Sequence, residues 1–418
     1  MWIKNYKKLG TTKQRQDALN IAESGLDAID TENIIKNFIK LDQDHLHIKD
    51  QVFDLTKFKT IRVLGFGKAS CKASYALEKI IGNKIKEGVA IGLAPTSCEY
   101  IKNYQGSHPL PSQENVAISK HIMEMGKEST KDDLVIVIVS GGGSALLCWP
   151  SDECDQGQQL YEQFLKTGGT VRELNTLRKH ISLLKGGGLA KILYPATVIG
   201  LIFSDIPGDN YDLIASGPTY KDNTTIADAQ KIIKKYKLDK FKLIETPKED
   251  KYFEKINNIQ LVSNQAALIA MKQTAEKLGY NSHILTDEMY DDVKKVLPRL
   301  TENLNNKSAI IAGGEPSLVV TKSRGTGGRN LYLAMQAIKF IEDEDTALFL
   351  ASDGLDNSKV AGAIVDKDIK NKAQQMNLDI DDYIARFDGL GLGERLDNLL
   401  LTGPTEANVS DLMLILRK

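Results

Sequence analysis

A lysine follows two closely spaced glycines where an apolar run gives way to a helix-forming pattern. Residues 62–70 read Arg-Val-Leu-Gly-Phe-Gly-Lys-Ala-Ser, with the lysine at position 68. Glycine lets the backbone turn tightly and approach a ligand closely, and the first turn of a helix offers unpaired N–H groups to an anion. The lysine adds a positive charge that can follow a phosphoryl group during its transfer. The segment therefore predicts a phosphate-binding site that includes Gly67 and Lys68.

Four further glycine-rich segments repeat this theme. They are Ser-Gly-Gly-Gly-Ser at 140–144, Lys-Gly-Gly-Gly at 185–188, Gly-Gly-Glu at 313–315 and Gly-Thr-Gly-Gly-Arg-Asn at 325–330. Together the five segments favour a site built from backbone amides around a polyanion, most simply a nucleotide. Neither common nucleotide-binding pattern fits the first segment. A Walker A loop requires a glycine where Arg62 stands and Ser or Thr where Ala69 stands, and the dinucleotide fingerprint requires a glycine at Ser70.

Aspartates follow two of the apolar strand patterns. Asp205 and Asp209 come after the run at 198–203, and Asp353 comes after the run at 347–350. Open α/β sheets bind ligands at the carboxyl ends of their strands, and Mg²⁺ takes one or two carboxylates together with phosphate oxygens and water. Asp209 and Asp353 are therefore predicted magnesium ligands. Asp205 is predicted either to bind Mg²⁺ or to orient and deprotonate the attacking hydroxyl, and helix capping or turn formation is the alternative for all three.

A basic segment lies between these aspartates and the second glycine-rich segment. Asn175 and Arg178 fall on one helix face together with Ser182. Arg178 and Lys185 could hold a carboxylate or phosphate, because an arginine fork matches planar oxyanions with two parallel hydrogen bonds. The Ser-His-Pro-Leu-Pro sequence at 107–111 is predicted to form a rigid turn, with His108 in a structural role.

Composition excludes several classes of protein. A formal net charge of −1 argues against nucleic-acid binding, which requires a basic face. The four cysteines do not form a metal or redox motif and suit a reducing compartment. The sequence contains no apolar run long enough to span a membrane and no signal-peptide pattern, so we expect a soluble, cytoplasmic protein. The sequence does not determine the oligomeric state, and a homodimer is one of the states that it allows.

The elements that must position these residues alternate between strands and helices. Helical spacing covers 12–50, and strand-like runs follow at 61–64, 89–93, 134–139, 198–203, 259–262, 283–285, 309–311, 347–350 and 412–416. This alternation indicates an α/β fold, and the continuous apolar runs indicate parallel strands. The charged stretch 240–258 is the predicted linker between a domain at 1–245 and a second at 258–418, whose last strand could return to the first domain.

The motifs, taken in order, resemble those of the class II glycerate 2-kinases, whose C-terminal part is called the MOFRL domain. The matching segments, spread over nearly the whole chain, are 65–69, 108–111, 140–146, 175–188, 204–209, 214–219, 313–315, 325–330, 352–354 and 402–405. Residues 331–332 depart from the family pattern, because Leu-Tyr stands where Gln-Glu is usual. Arg329 therefore lacks the acidic neighbour that the family has there.

The resemblance implies ATP-dependent, Mg²⁺-dependent phosphorylation of D-glycerate to 2-phosphoglycerate. It also implies a two-domain α/β fold, with a Rossmann-like N-terminal α/β/α domain, a smaller α/β C-terminal domain and the active site in the cleft. If the roles of the matching family residues apply to this chain, Lys68 and Arg329 bind the substrate and the transferring phosphoryl group. Arg178 is an alternative ligand for the glycerate carboxylate. The predicted substrate- and nucleotide-binding residues are Gly67, Ser140, Gly141, Gly142, Gly143, Ser144, Asn175, Arg178, Lys185, Gly187, Glu315 and Gly328.

Two other functions fit parts of the pattern. The first is a nicotinamide-dependent hydroxypyruvate reductase, which is disfavoured because the dinucleotide fingerprint fails. The second is a non-catalytic regulator that binds a nucleotide or sugar phosphate. Lys68, Arg329 and the paired aspartates together exceed what binding alone requires.

Overall fold

The chain forms two compact units in a computed structural model that describes residues 1–164, 166–204, 211–320, 325–405, 407 and 409–418. Residues 31–262 form one, which we call the parallel-sheet unit. Residues 1–30 and 263–418 form the other, which we call the mixed-sheet unit. The predicted division into two α/β parts is confirmed, but the boundaries differ from those predicted.

The helices of the described residues are numbered in chain order. They are α1 (Tyr6–Leu9), α2 (Lys13–Ala28), α3 (Thr31–Phe38), α4 (Ser70–Ile81), α5 (Gln113–Lys127), α6 (Gly143–Leu146), α7 (Asp152–Phe164), α8 (Val171–His180), α9 (Gly188–Leu193), α10 (Ile226–Tyr236), α11 (Asn264–Lys277), α12 (Val293–Thr301), α13 (Arg329–Phe340), α14 (Lys367–Gln375), α15 (Ile380–Ala385) and α16 (Gly389–Leu396). Short 3₁₀ turns cover Leu55–Lys57, Gly82–Lys84, Tyr211–Ser216 and Asp250–Tyr252.

The strands are numbered in the same way. They are β1 (Ile39–Asp42), β2 (His45–Ile48), β3 (Gln51–Asp54), β4 (Thr60–Phe66), β5 (Ile85–Gly92), β6 (Ile101–Gln105), β7 (Asp133–Ser140), β8 (Thr197–Phe203), β9 (Ile256–Val262), β10 (Asn281–Thr286), β11 (Ser308–Gly314), β12 (Asp345–Ala351), β13 (Gly362–Asp366), β14 (Leu399–Leu400) and β15 (Asp411–Arg417). Each of the predicted strand-like runs falls on one of these strands.

The parallel-sheet unit is built on a six-stranded sheet in the order β6-β5-β4-β7-β8-β9. All neighbouring pairs are parallel. Counted in chain order within this sheet, the arrangement is 3-2-1-4-5-6, the order of doubly wound dinucleotide-binding folds. The predicted Rossmann-like fold is therefore confirmed. The strand order reverses at β4, which has β5 on one side and β7 on the other.

The centre of this sheet is apolar on both faces. Every residue of β7 is buried, and β4 is buried from its second residue onward. Strands of this kind read as continuous hydrophobic runs because other elements cover both sides of a parallel sheet. A fully buried aliphatic side chain contributes about 1.5–3 kcal/mol relative to an exposed one. The central strands therefore provide a rigid base for the loops at their carboxyl ends.

The mixed-sheet unit contains a six-stranded sheet in the order β10-β11-β15-β12-β13-β14. Only β10 and β11 pair in parallel, whereas β15 runs antiparallel to both of its neighbours. The predicted return of the last strand to the first domain is wrong, because β15 lies at the centre of this second sheet. Nearly all of β15 is buried, and it joins β11 to β12.

The predicted boundaries are wrong at two further places. Residues 1–30 belong to the mixed-sheet unit because α2 packs on α11, with Gly25 against Met271, and Arg15 binds the Asp366 carboxylate through two nitrogens, each at 2.6 Å. The predicted linker 240–258 belongs to the parallel-sheet unit, where the N–H of Ile244 donates to the His180 carbonyl at 2.6 Å. Strand β9 extends the parallel sheet by pairing with β8.

The predicted helical region 12–50 is helical only as far as Phe38. Residues 39–54 form a small antiparallel sheet of β1, β2 and β3, which sequence analysis missed. All four cysteines carry free thiols. Among the described residues, no helix combines the length and apolar character that a membrane crossing requires.

Candidate active site

Two of the predicted glycine-rich segments meet at the point where the parallel strand order reverses. Gly67 and Lys68 follow β4, and Gly141 to Ser144 follow β7, the neighbouring strand. Open α/β sheets bind ligands outside the carboxyl ends of their strands at such reversal points. We call residues 67–69 the lysine loop and residues 140–144 the serine-glycine loop.

Backbone and side-chain hydrogen bonds join the lysine loop to the serine-glycine loop. The N–H of Lys68 donates to the Gly141 carbonyl at 2.8 Å, and the N–H of Ala69 donates to Ser140 Oγ at 3.1 Å. Gly67 has a φ of +119°, and a Cβ there would lie 2.2 Å from Ser140 Oγ. Only glycine allows this approach, so the two loops hold each other in a single arrangement.

The side chains of Lys68 and His108 both lie close to Gly142. A Cβ on Gly142 would come within 3.0 Å of Lys68 Cγ and 3.1 Å of His108 Cδ2. Buried Asn115 fixes the turn that carries His108, since its Nδ2 donates to the carbonyls of Ser107 and Ala145 and its Oδ1 accepts from the N–H of Ser107. Two side chains that can carry positive charge are thus held beside a glycine backbone.

The start of α6 leaves N–H groups open in this region. The N–H groups of Gly142, Gly143 and Ser144 donate to no acceptor in the described part of the chain. Gly143 is fixed by close packing, since a Cβ there would lie 2.6 Å from the Cβ of Ala215. First-turn N–H groups that lack protein partners are suited to binding an anion. The serine-glycine loop and Lys68 therefore form a candidate phosphate site.

A chain of hydrogen-bonded side chains extends from Ser144. Its hydroxyl lies 3.0 Å from Ser216 Oγ, which donates to Asn175 Oδ1 at 2.6 Å. One helical turn after Asn175, the ammonium of buried Lys179 lies 3.1 Å from the Asp212 carboxylate and 3.3 Å from the Asp222 carboxylate. The predicted Asn175 is thus connected to the serine-glycine loop, and its helix α8 is fixed by ion pairs.

A second polar cluster lies in the mixed-sheet unit, at the start of α13. Arg329 Nε donates to Asp411 Oδ2 at 2.8 Å, and its Nη2 lies 3.4 Å from Glu315 Oε2. Asn330 Nδ2 donates to the other oxygen of Asp411 at 2.8 Å. Burial disfavours the guanidinium charge, but the two carboxylates outweigh burial and raise the pKa of Arg329.

A further buried carboxylate caps α13. Asp356 accepts hydrogen bonds from the N–H groups of Gly328, Asn330 and Leu331, at 3.1, 3.2 and 2.7 Å. Burial, followed by repulsion from Asp411, raises the pKa of Asp356 to about 6. Burial also raises the pKa of Asp411 to about 6, although Arg329 opposes this shift. The cluster thus concentrates two buried carboxyl groups at one helix terminus.

Comparisons with known proteins agree with this arrangement. A family model described as a domain of unknown function, DUF4147, matches residues 17–246, and one described as the MOFRL family matches residues 308–411. The D-glycerate 2-kinase of Thermotoga maritima is 31% identical over 388 residues, which are 86% of this chain and 92% of the relative. This chain belongs to the glycerate 2-kinase family. The resemblance predicted from the sequence motifs is therefore confirmed.

Other members of the glycerate 2-kinase family match over most of their length. The glycerate 2-kinase of Pyrococcus horikoshii is 29% identical, and the alignment covers 96% of each chain. The crystal structure of the glycerate kinase of Thermotoga maritima superposes with a TM-score of 0.83 at 28% identity, covering 96% of this chain and 99% of that one. The architecture is therefore that of a glycerate kinase.

Three of the residues predicted for ligand binding in this glycerate 2-kinase family member have other partners. Lys185 is 2% exposed, and its ammonium binds the Glu153 carboxylate and the Leu147 carbonyl. The N–H of Gly187 donates to the Gly217 carbonyl at 2.8 Å, and the N–H of Gly328 donates to Asp356. These groups stabilise the local fold, and contact of these three residues with a ligand stays a prediction.

Arg178 differs from Lys185 in this respect. Its guanidinium makes no hydrogen bond or ion pair with any residue that the structure describes, and partial burial lowers its pKa. A half-buried arginine without a partner is unfavourable unless an anion binds it. The structure thus leaves Arg178 available for the predicted contact with a carboxylate or phosphate.

The predicted magnesium ligands are only partly described. Asp205 and Asp209 lie outside the described residues. Asp353 is half-buried, and its Oδ1 accepts a hydrogen bond from the N–H of Leu355 at 3.1 Å. The described residues contain no group of three or more metal-binding side chains. A single carboxylate such as Asp353 fits Mg²⁺ that reaches the site with nucleotide phosphates, because this ion takes few protein ligands.

Sequence reasoning missed several residues of these clusters as site residues. Asp411 was not predicted at the site, and His108 was predicted to be structural. Residues 107–111 do form a turn, but they bring His108 next to Gly142 and Lys68. The available signal for His108 was its position in one of the motifs shared with the glycerate 2-kinases. For Asp411 no local signal exists, because its partners are 81 and 82 residues away.

Proposed function

We propose that this protein transfers the γ-phosphoryl group of ATP to the 2-hydroxyl of D-glycerate, forming ADP and 2-phosphoglycerate. The observation that carries this proposal is the candidate phosphate site, where Lys68 and the open N–H groups of the serine-glycine loop meet at the strand-order reversal. The Thermotoga maritima relative is a D-glycerate 2-kinase, which supports the choice of substrate.

Phosphoryl transfer requires positioning and charge neutralisation more than covalent chemistry from the protein. In this proposal the Lys68 ammonium neutralises charge on the transferring phosphoryl group. The N–H groups of Gly142, Gly143 and Ser144 donate to its oxygens, and Ser216 and Asn175 hold the Ser144 hydroxyl in place. Because these donors are fixed before the substrate binds, they stabilise the developing charge without reorganising.

Mg²⁺, when bound with ATP, supplies positive charge that offsets the charge of the β- and γ-phosphates. Asp353 is proposed as a ligand of the ion, and Asp209 is a second candidate. Arg329 would hold a second anionic group of the reactants through the part of its guanidinium that Asp411 does not bind. These assignments rest on the donor chemistry of the residues and on the family resemblance.

The product of the reaction tests this proposal directly. Incubation with D-glycerate and Mg-ATP, followed by phosphorus and proton NMR, distinguishes 2-phosphoglycerate from 3-phosphoglycerate by the position of the phosphoester. We expect 2-phosphoglycerate. Oxidation of NADH in the presence of hydroxypyruvate, without phosphorylation of glycerate, would favour the reductase instead. Nucleotide binding without turnover of either substrate would indicate a regulator.

Arg178 is the better candidate for the glycerate carboxylate, since Arg329 already binds two carboxylates. We expect Arg178→Lys to raise the KM for D-glycerate about 10- to 100-fold, the effect of losing a charge-assisted hydrogen bond of about 1.5–3 kcal/mol. The KM for ATP should change little. Arg172→Lys, an exposed position on the same helix, is the matched control for steady-state kinetics. Equal effects on both KM values would contradict the assignment.

Asp205 is proposed to orient and deprotonate the attacking hydroxyl. We expect Asp205→Asn to lower kcat about 100-fold or more, the usual contribution of general base catalysis, and to remove the acidic limb of the pH–rate profile. Added Mg²⁺ should not restore the rate of this variant, whereas it should restore part of the rate of Asp209→Asn. Rescue of the Asp205 variant by Mg²⁺ would indicate a metal ligand, and full activity would eliminate both roles.

A further inference from the structure

In the described part of the mixed-sheet unit, Asp411 binds Nε of Arg329, which is the buried end of the guanidinium. The Asp411 side chain is 5% exposed and accepts from Arg329 Nε at 2.8 Å, whereas the Arg329 side chain is 34% exposed. Nη2 lies 3.4 Å from Glu315, whose side chain is 43% exposed, and Nη1 contacts no acceptor among the described residues. The guanidinium is thus held at Nε and reaches outward at its other end.

The position of Asp411 in the sheet makes it a rigid anchor. It is the first residue of β15, where it pairs with Gly314 of β11 and Ala351 of β12. Strand β15 is the central strand that joins these two neighbours, and its side chains are buried. The sheet holds the Asp411 carboxylate in place, so its hydrogen bond with Nε restrains the position of the Arg329 side chain.

The two oxygens of Asp411 bind two consecutive residues of α13. Oδ2 accepts from Arg329 and Oδ1 accepts from Asn330 Nδ2 at 2.8 Å. Asn330 Nδ2 also lies 3.2 Å from Asp356, the carboxylate that caps the same helix. One carboxylate therefore fixes both the arginine side chain and the first turn of the helix that carries it.

This arrangement is not the one that stability alone would select. Asn330 Oδ1 is buried and has no hydrogen-bond partner among the described residues, which is unfavourable. Asp411 and Asp356 are both buried, and repulsion between them contributes to the raised pKa of Asp356. Buried ion pairs often stabilise a fold no better than apolar residues of similar size do. The unsatisfied amide oxygen and the two buried carboxylates lower the stability of the fold. Their presence is consistent with a requirement to orient Arg329.

We propose that Asp411 is the positioning residue of Arg329, holding its Nε so that the rest of the guanidinium faces the reactants. This inference rests on the proposed function, in which Arg329 binds an anionic group of the reactants. Asp411 itself contacts neither substrate nor phosphoryl group. Its removal should therefore act through Arg329 and should have little effect when Arg329 has already been replaced.

A double-mutant cycle tests this dependence. Asp411→Asn is expected to lower kcat at least tenfold in the wild-type background and less than twofold in the Arg329→Ala background, in which residue 329 has no charge for Asp411 to bind. If the Asn variant does not fold, as judged by circular dichroism, Asp411→Ser takes its place, since its smaller side chain leaves room for water. Equal losses in both backgrounds, or wild-type kcat in the folded variant, would overturn the proposal.

The matched control uses a second buried pair of the same unit. Asp345, 1% exposed, binds Nε and Nη2 of Arg417 at 2.7 and 2.9 Å, and Arg417 lies at the other end of β15. Asp345→Asn removes a similar buried carboxylate without touching Arg329. We expect it to lower the melting temperature and to leave kcat per folded molecule unchanged. A loss of kcat equal to that of the Asp411 variant would mean that any buried charge change has this effect.

A readout without turnover separates this inference from the proposed function. The ¹⁵N–¹H signal of Arg329 Nε, assigned by its absence in Arg329→Lys, should exchange slowly with solvent in the wild type and at least tenfold faster in Asp411→Asn. Slow exchange in a protein that does not phosphorylate glycerate would contradict the proposed function but not the anchoring. Unchanged exchange in the Asp411 variant would contradict the anchoring itself.

Discussion

Replacing Lys68 with alanine should lower kcat about 100- to 1,000-fold while leaving the fold intact. The expected loss corresponds to about 2.7–4 kcal/mol, the effect of removing one donor that stabilises charge in a transition state. The lysine loop is held by backbone contacts of Lys68 and Ala69 with residues 140–141, which the substitution retains. Steady-state kinetics with D-glycerate and ATP, combined with circular dichroism, measures both quantities.

Lys79→Ala is the matched control for this substitution. Lys79 is an exposed residue near the end of α4, the helix that follows the lysine loop, and its ammonium lies 5.1 Å from the centre of the Tyr75 ring. Its removal changes the net charge by the same amount and should leave kcat within twofold of the wild type. Near-normal turnover of the Lys68 variant would remove Lys68 from the proposed mechanism.

The parallel sheet and the meeting of its glycine-rich loops were predictable because their signals are local. Continuous apolar runs such as 61–64 and 134–139 indicate strands buried on both faces, and these two are followed by glycine-rich segments. In a doubly wound sheet the turns after β4 and β7 must meet where the strand order reverses. The meeting of Lys68 with Gly142 therefore follows from the order of the strands, once the strands themselves are identified.

The cluster around Arg329 was not predictable in the same way. Strand β15 lies at the centre of the second sheet, although it is the last strand in the chain. No pattern in the sequence specifies which strands flank it, so the contact of Asp411 with Arg329 could not be inferred. The same reason applies to α2, whose packing on α11 joins residues 1–30 to the mixed-sheet unit.

Lys185 shows the limit of residue type as a guide to function. A lysine next to several glycines predicts an anion site, and both Lys68 and Lys185 have such neighbours. In the structure the Lys185 ammonium binds Glu153, which lies 32 residues earlier, and the Gly187 N–H binds the Gly217 carbonyl. Both Lys68 and Lys185 adjoin glycines, and the residue type alone does not show that Lys185 binds a buried carboxylate.

Arg329→Lys should be the other substitution with a large effect, although it keeps the positive charge. We expect kcat to fall at least about 100-fold, because a lysine lacks the Nε that Asp411 binds and offers a point charge in place of a planar fork. The ammonium would be drawn to the carboxylates of Asp411 and Glu315, which now lie on one side of the guanidinium.

Arg417→Lys provides the comparison for Arg329→Lys, since Arg417 also binds a buried carboxylate through Nε in the same sheet. It should lower the melting temperature and leave kcat per folded molecule within twofold of the wild type. For Arg329→Lys the order of effects should be reversed, with a large loss of kcat and a smaller change in melting temperature. If kcat and both KM values of the Arg329 variant match the wild type, two-point recognition by Arg329 is wrong and Asp411 has no catalytic group to position.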